Sequence, residues 1–295
     1  LVSMAALIYG CIHRMKTGEE GRQEGMINMA GSRWKAVLKE NLIFYAAGFV
    51  VLSSLKLFYS RAGSDELRWI LAPTARWAGS LGGISFAYEA QQGYVNHELR
   101  FIIAASCSGV QFMLVSMAAL IYGCIHRMKT GKKKTIWLAG SMVFSYLFTV
   151  FVNGIRIVSA IYLPLRLEGV LAGGGWLTAQ RLHTLIGIVV YFMALLLVYQ
   201  AADFMAGIVE GEVRRQRRRI KWAVPVFWYF AIVLGIPFFN GARGKNRDGF
   251  GEYAALVTTV IVEIILLLWL ASLVRNGRTG CGSADAGTGR GEELP

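Results

Sequence analysis

Long apolar runs alternate with short basic segments along most of this chain. Runs of about twenty apolar residues, the length that a helix needs to cross a bilayer, predict about six transmembrane helices. They lie at about residues 41–59, 99–123, 135–156, 183–206, 222–239 and 253–274. The pattern therefore predicts an all-α fold, a polytopic integral membrane bundle of helices.

The basic residues cluster at alternate ends of these runs. The clusters lie at residues 33–39, 127–134, 214–221 and 275–278. Cytoplasmic loops carry an excess of Lys and Arg, so this pattern places both termini inside and loops 60–98, 163–182 and 240–252 outside. The first outer loop is apolar, contains tryptophans and is interrupted by Pro73. We expect it to lie along the membrane surface as an interfacial helix.

Composition supports a membrane protein and argues against other classes. Hydrophobic residues make up 55% of the chain, charged residues 17%, and the mean hydropathy is +0.47. The net charge of +13 would suggest a nucleic-acid partner in a soluble protein, but here the basic residues separate apolar runs, so we expect no such partner. The four cysteines form neither a CxxC pair nor a zinc-ligand spacing, and no metal or organic cofactor is implied.

An exact internal repeat affects the domain assignment. Residues 1–18 are identical to residues 114–131. The duplicated piece begins in the middle of a predicted helix and has too few apolar residues to cross a bilayer. We therefore expect residues 1–25 to be artefactual or non-structural, residues 26–278 to form the membrane domain, and the Gly-rich polar residues 279–295 to form a disordered tail.

Three polar residues fall at one predicted depth although they are far apart in sequence. Cys107 lies near the outer start of the second span, Arg156 at the outer end of the third, and His183 at the outer start of the fourth. Each has an ordinary interpretation when taken alone: a small apolar filler, an arginine that reaches headgroups, and an interfacial histidine. Their common level indicates a catalytic group.

The chemistry of such a group is consistent. A thiol attacks as a thiolate, which a nearby cation, a histidine or a helix N-terminus favours, and we expect the α-helix to begin near Ser106. His183 would take the thiol proton and later protonate a leaving amine, while Arg156 would stabilise the thiolate or an oxyanion. Asn153, one turn before Arg156, is predicted to orient it, and Ser108 is a second supporting residue.

These residues also carry a family resemblance. The blocks CSG at 107–109, NGIRI at 153–157 and LHTLIG at 182–187 resemble, in order and spacing, the signature blocks of the exosortase/archaeosortase family, with the short, single-domain exosortases most similar. The resemblance covers about residues 41–206. The duplicated segment 1–25 departs from the family pattern, and the spans after residue 206 match less clearly.

The resemblance implies a membrane-embedded cysteine transpeptidase or protease. Its catalytic residues would be Cys107, Arg156 and His183. Its substrates would be exported proteins that end in a short motif, a membrane helix and a basic cluster. They would be cleaved at the extracytoplasmic face of a bacterial cytoplasmic (inner) membrane.

Two other interpretations remain open from the sequence. Glu263, near the middle of the last span, could mark an ion path in a small transporter or channel, although no inverted repeat or broken helix pair accompanies it. A structural membrane protein would explain the spans but not the shared level of the three polar residues. The arginine-rich run 214–219 is a topology anchor that could also bind anionic lipid headgroups.

Overall fold

A computed structural model describes residues 37–171, 176–209, 223–235, 238 and 248–281. The helices are α1 (Val37–Tyr59), α2 (Arg68–Gly82), α3 (Val110–Cys124), α4 (Gly131–Arg166), α5 (Glu168–Leu171), α6 (Ala179–Val209), α7 (Ala223–Phe230) and α8 (Asp248–Cys281). The duplicated segment 1–25, the arginine-rich run 214–219 and residues 282–295 lie outside the described residues. The first three residues of the predicted tail continue α8.

Five described helical segments are long and apolar enough to cross a membrane, namely those built on α1, α3, α4, α6 and α8. This confirms the prediction of a polytopic helical membrane protein. Where the fifth span was predicted, α7 and the π turn that follows it form a shorter apolar helix, Ala223–Gly235. The count of six spans and the inside location of both termini stay predictions.

Helix α2 occupies part of the loop predicted to lie on the membrane surface. One of its faces is buried and packs along α4, where the Trp77 indole nitrogen donates to the Phe151 carbonyl at 3.1 Å. The Trp77 ring lies over Gly154, and a Cβ there would come within 2.2 Å of it. This close approach packs α2 against the bundle, and its predicted location along the membrane surface stays a prediction.

A small antiparallel sheet follows α2 and was not predicted. Its strands β1 (Ala87–Glu89), β2 (Gly93–Asn96) and β3 (Phe101–Ile103) pair in the order β1-β2-β3. Residues 99–103, assigned to the second span from their apolarity, thus belong to a turn and to β3. Ile103 is buried and Ile102 is exposed, which is the two-residue alternation of a strand rather than the periodicity of a helix.

Helix α3 is the centre of the bundle. In the most apolar 18 residues of the span that contains α3, 89% of the residues are buried. The corresponding share is 6% for α1 and 11% for the span in α8. It packs against α4, α6 and α7, and these neighbours surround it on most sides. Its first turn, and the 3-10 turn Ala105–Cys107 just before it, are therefore held by side chains from several helices.

Candidate active site

Cys107 ends the 3-10 turn that connects the sheet to α3. Its backbone N–H donates to the Ala104 carbonyl at 2.8 Å, and α3 begins only at Val110. The expectation that the α-helix begins near Ser106 is therefore corrected by four residues. Gly109 lies between the 3-10 turn and α3 and has a φ of 75°, a conformation that glycine adopts without strain. This residue separates the turn from the helix.

The turn that carries Cys107 is fastened to α4 by Asn153. The Asn153 side-chain amide donates to the Cys107 carbonyl at 2.7 Å, and both residues are buried. A Cβ at Gly109 would come within 3.1 Å of the Asn153 amide, so glycine permits this approach. The predicted role of Asn153 in orienting Arg156 is thus corrected, because its amide hydrogen-bonds the backbone of the nucleophile candidate instead.

Arg156 links the other two predicted residues. Its Nη2 lies 3.0 Å from His183 Nε2, and its guanidinium also interacts with the Cys107 thiol. Because an arginine only donates hydrogen bonds, Nε2 of His183 is the acceptor and the ring is neutral in this arrangement. The structure therefore brings the three residues together: the guanidinium is hydrogen-bonded to the imidazole and interacts electrostatically with the thiol.

The guanidinium of Arg156 is buried without a carboxylate. Among the described residues it forms no ion pair, and its Nε has no hydrogen-bond partner. The guanidinium carbon lies 5.3 Å from the centre of the Tyr191 ring, a cation–π distance. A Cβ at Gly187 would approach Nε to 3.1 Å, so this glycine makes room for the cation. Positive charge is thus available to an incoming anion.

A cavity of about 210 Å³ opens beside these groups. Arg156 and His183 line it, together with Ser106 and Gly109 on either side of the cysteine. The remaining walls are Tyr59, Gln111, Phe112, Thr184, Gly187, Ile188, Tyr191, Tyr229, Val233 and Tyr253. The cavity therefore lies beside the turn that carries Cys107, with both basic side chains in its wall.

Ser108 has a structural environment. Its side chain is fully buried, and its hydroxyl accepts from the Val110 backbone N–H at 3.4 Å. Tyr59 approaches the same hydroxyl from α1. The contacts place Ser108 in the turn between Cys107 and α3, and it does not belong to the cavity wall.

Sequence reasoning missed the tyrosines of the site. Tyr191 donates to the Asn153 side-chain oxygen at 2.7 Å and stacks on Phe112 with ring centres 4.8 Å apart. Its position offered a signal, because residues eight apart on a helix lie near the same face and His183 is eight residues earlier. Tyr229 and Tyr253 enter from α7 and α8, where no local pattern marks them.

Glu263, the residue behind the transporter interpretation, lies elsewhere. It is exposed on α8 and does not line the cavity. Among the described residues no group of three His, Cys, Asp or Glu side chains is arranged to hold a metal ion. The cavity beside Cys107 is therefore the place where the described chain concentrates reactive groups.

Comparison with known proteins gives one match. The family model described as transmembrane exosortase matches residues 29–200. The match includes Cys107, Asn153, Arg156, His183 and Tyr191 and ends before α7. No curated protein and no solved structure matches the chain.

Proposed function

The chain belongs to the transmembrane exosortase family, and from that premise we propose that it is a membrane-embedded cysteine transpeptidase or protease that cleaves C-terminal sorting signals of exported proteins. The observation that carries the proposal is the position of the Arg156 guanidinium, which interacts with the Cys107 thiol and hydrogen-bonds His183 at 3.0 Å beside a cavity. A nucleophile, a fixed cation and a proton acceptor are the groups that acyl transfer needs.

The first half of the reaction forms a thioester. His183 accepts the thiol proton once its Nε2 is released from Arg156, which leaves a thiolate that the guanidinium stabilises. The sulfur of Cys107 attacks a backbone carbonyl of the substrate, and the carbonyl oxygen becomes an oxyanion next to Arg156. Collapse of this intermediate breaks the C–N bond, and the leaving amine takes the proton from His183.

The second half releases the product. Water or an amine attacks the thioester carbon and gives its proton to His183, and the thiolate of Cys107 leaves and is protonated again. The acceptor decides whether the outcome is hydrolysis or transpeptidation. In this proposal the substrate brings a short motif, a membrane helix and a basic cluster, and the site opens to the extracytoplasmic side of a bacterial inner membrane.

Single substitutions of the three residues test the proposal. Membranes containing the wild type, Cys107→Ala, Cys107→Ser, Arg156→Ala or His183→Ala at matched expression are incubated with a candidate substrate, and cleavage is followed by its change in mass. Cleavage should disappear in both Cys107 variants. It should fall by about 10²-fold or more in the other two, the usual loss on removing an acid–base or oxyanion group.

A trapped intermediate provides the chemical proof. A thioester between Cys107 and the substrate should be captured by hydroxylamine as a hydroxamate on the substrate, and Cys107→Ser should yield none. Undiminished cleavage by all four variants would overturn the assignment of the site. Cleavage by His183→Ala at the wild-type rate would remove only the role of His183.

A further inference from the structure

We propose that Tyr191 is a positioning residue of this site, an inference that rests on the proposed function. Its hydroxyl holds the backbone of the nucleophile through Asn153, and its ring holds the cation. One side chain of α6 therefore sets the relative position of Cys107 and Arg156.

The hydrogen-bond chain from Tyr191 has a fixed direction. The Cys107 carbonyl can only accept, so the Asn153 amide nitrogen faces it at 2.7 Å, and the Asn153 oxygen is left to accept from the Tyr191 hydroxyl at 2.7 Å. Asn153 is completely buried, so water does not replace either partner. Removing the hydroxyl leaves a buried amide oxygen unpaired and loosens the turn that ends in Cys107.

The aromatic ring of Tyr191 makes a second, separate contact. One side stacks on Phe112 of α3 with an interplanar angle of 11°, and the Arg156 guanidinium carbon lies 5.3 Å from its centre. Phe112 is buried and is the third residue of α3, so the ring is backed by the same helix that follows the nucleophile. Substitution can therefore separate the two contacts, because phenylalanine keeps the ring and lacks the hydroxyl.

A comparison of Tyr191→Phe in two backgrounds tests the hydroxyl. In the otherwise wild-type chain it should lower kcat about tenfold while KM stays within about twofold, because a buried partner is lost and no substrate contact is removed. In the Asn153→Ala background the same substitution should change kcat by less than about twofold, because the hydroxyl acts through the missing amide. Tyr191→Leu should lose more activity than Tyr191→Phe.

Tyr146→Phe is the matched control. Its hydroxyl donates to the Trp69 carbonyl at 2.9 Å, away from the cavity, so it loses a comparable hydrogen bond between helices. Its kcat should stay within about twofold of the wild type. A tenfold loss for Tyr191→Phe in both backgrounds, or no loss in the wild-type background, would overturn the proposal.

A readout that needs no substrate separates this inference from the proposed function. The rate at which iodoacetamide alkylates Cys107 in folded membranes, followed by mass spectrometry of its peptide, reports the environment of the thiol. Tyr191→Phe should change this rate by about threefold or more, while Tyr146→Phe should not. If Cys107→Ala still cleaves substrate, the proposed function fails, and the alkylation rate alone decides the role of Tyr191. An unchanged rate in Tyr191→Phe then rejects it.

Discussion

The two ends of the bundle differ in whether their cations are paired with a carboxylate. At the end where α3 finishes, here called the basic end, Lys134 lies 3.2 Å from the Glu40 carboxylate and Arg127 pairs with Asp203. At the end where α3 begins, here called the site end, Arg156 hydrogen-bonds a neutral imidazole, lies against an aromatic ring and interacts electrostatically with a thiol. A carboxylate neutralises each of these two cations at the basic end, and none of the described residues neutralises Arg156.

The difference explains what each cation does. An ion pair between two segments satisfies both partners and ties the segments together, so the field of its cation is already neutralised. A buried guanidinium without a carboxylate keeps its field available for a thiolate or an oxyanion that appears during a reaction. The site end is therefore prepared for negative charge, and the basic end is fixed.

Placing a carboxylate next to Arg156 should remove this difference and have the largest effect. Gly187→Asp puts a carboxylate at a position whose Cβ lies 3.1 Å from Arg156 Nε. An ion pair there would neutralise the guanidinium before any oxyanion forms, and we expect kcat to fall about a thousandfold. The measurement is the cleavage assay in membranes at matched expression.

Gly187→Asn separates charge from size in this test, because it has the same shape without the charge. It should retain at least about thirtyfold more activity than Gly187→Asp. Equal losses in both variants would show that space, and not charge, matters at this position.

Arg156→Lys should have the next largest effect, a loss of about a hundredfold in kcat. Lysine keeps the charge but lacks the planar fork that reaches Cys107 and His183 at once. The pH dependence of kcat should then change as well, because His183 loses the donor on its Nε2. A variant with wild-type kcat and pH profile would show that charge alone is sufficient.

The positions of the spans and the level of the polar residues can be predicted from the sequence. They follow from the length, hydropathy and flanking charge of the apolar runs. These properties predict which segments cross the membrane and which residues reach one level. The structure brings Cys107, Arg156 and His183 together, and their catalytic roles stay a prediction. Residues 99–103 were misassigned because a strand of three apolar residues has the same composition as the start of a membrane helix. The burial alternation of Ile102 and Ile103 depends on β2, which lies beside them only in the fold.

The partners within the site were not predictable in the same way. Asn153 lies one turn from Arg156, so local geometry suggested that pair, but its amide reaches the carbonyl of Cys107, 46 residues away. Tyr191 is one tyrosine among twelve in the chain, and only the crossing of α6 over α4 selects it. Such contacts depend on how each helix is rotated and how closely it approaches its neighbours. An apolar run in the sequence determines neither.

At the basic end, loss of a carboxylate should reduce stability and leave the chemistry unchanged. Asp203→Asn removes the negative charge beside the partly buried Arg127, and we expect the free energy of unfolding to fall by about 1–2 kcal/mol, a decrease of about 2–5 °C in Tm. The activity per folded molecule should stay within about twofold of the wild type.

Glu40→Gln is the control for Asp203→Asn. The Glu40 side chain is 70% exposed, so its pair with Lys134 is better screened and the loss in Tm should be smaller. Thermal unfolding in detergent measures both variants. A lower kcat in Asp203→Asn at unchanged Tm would contradict the division between the two ends.

The smallest effect concerns Asp65, a carboxylate near the site end whose hydrogen-bond partners belong to the segment of the small sheet. Asp65 accepts from the Tyr88 hydroxyl at 2.6 Å and the Gln91 N–H at 2.8 Å, and these bonds hold the pKa of its carboxyl below the usual value. Its stabilising contribution is therefore complete above the unfolded pKa of about 4 and is lost as the pH falls through the lower folded value. Because the group is exposed, Asp65→Asn should lower Tm at pH 7 by less than about 2 °C, and its Tm should fall less steeply than that of the wild type below about pH 4.

Tyr88→Phe removes the first of the two bonds and should give an intermediate slope. Parallel acid profiles for all three proteins would show that Asp65 does not contribute to the stability of the site end.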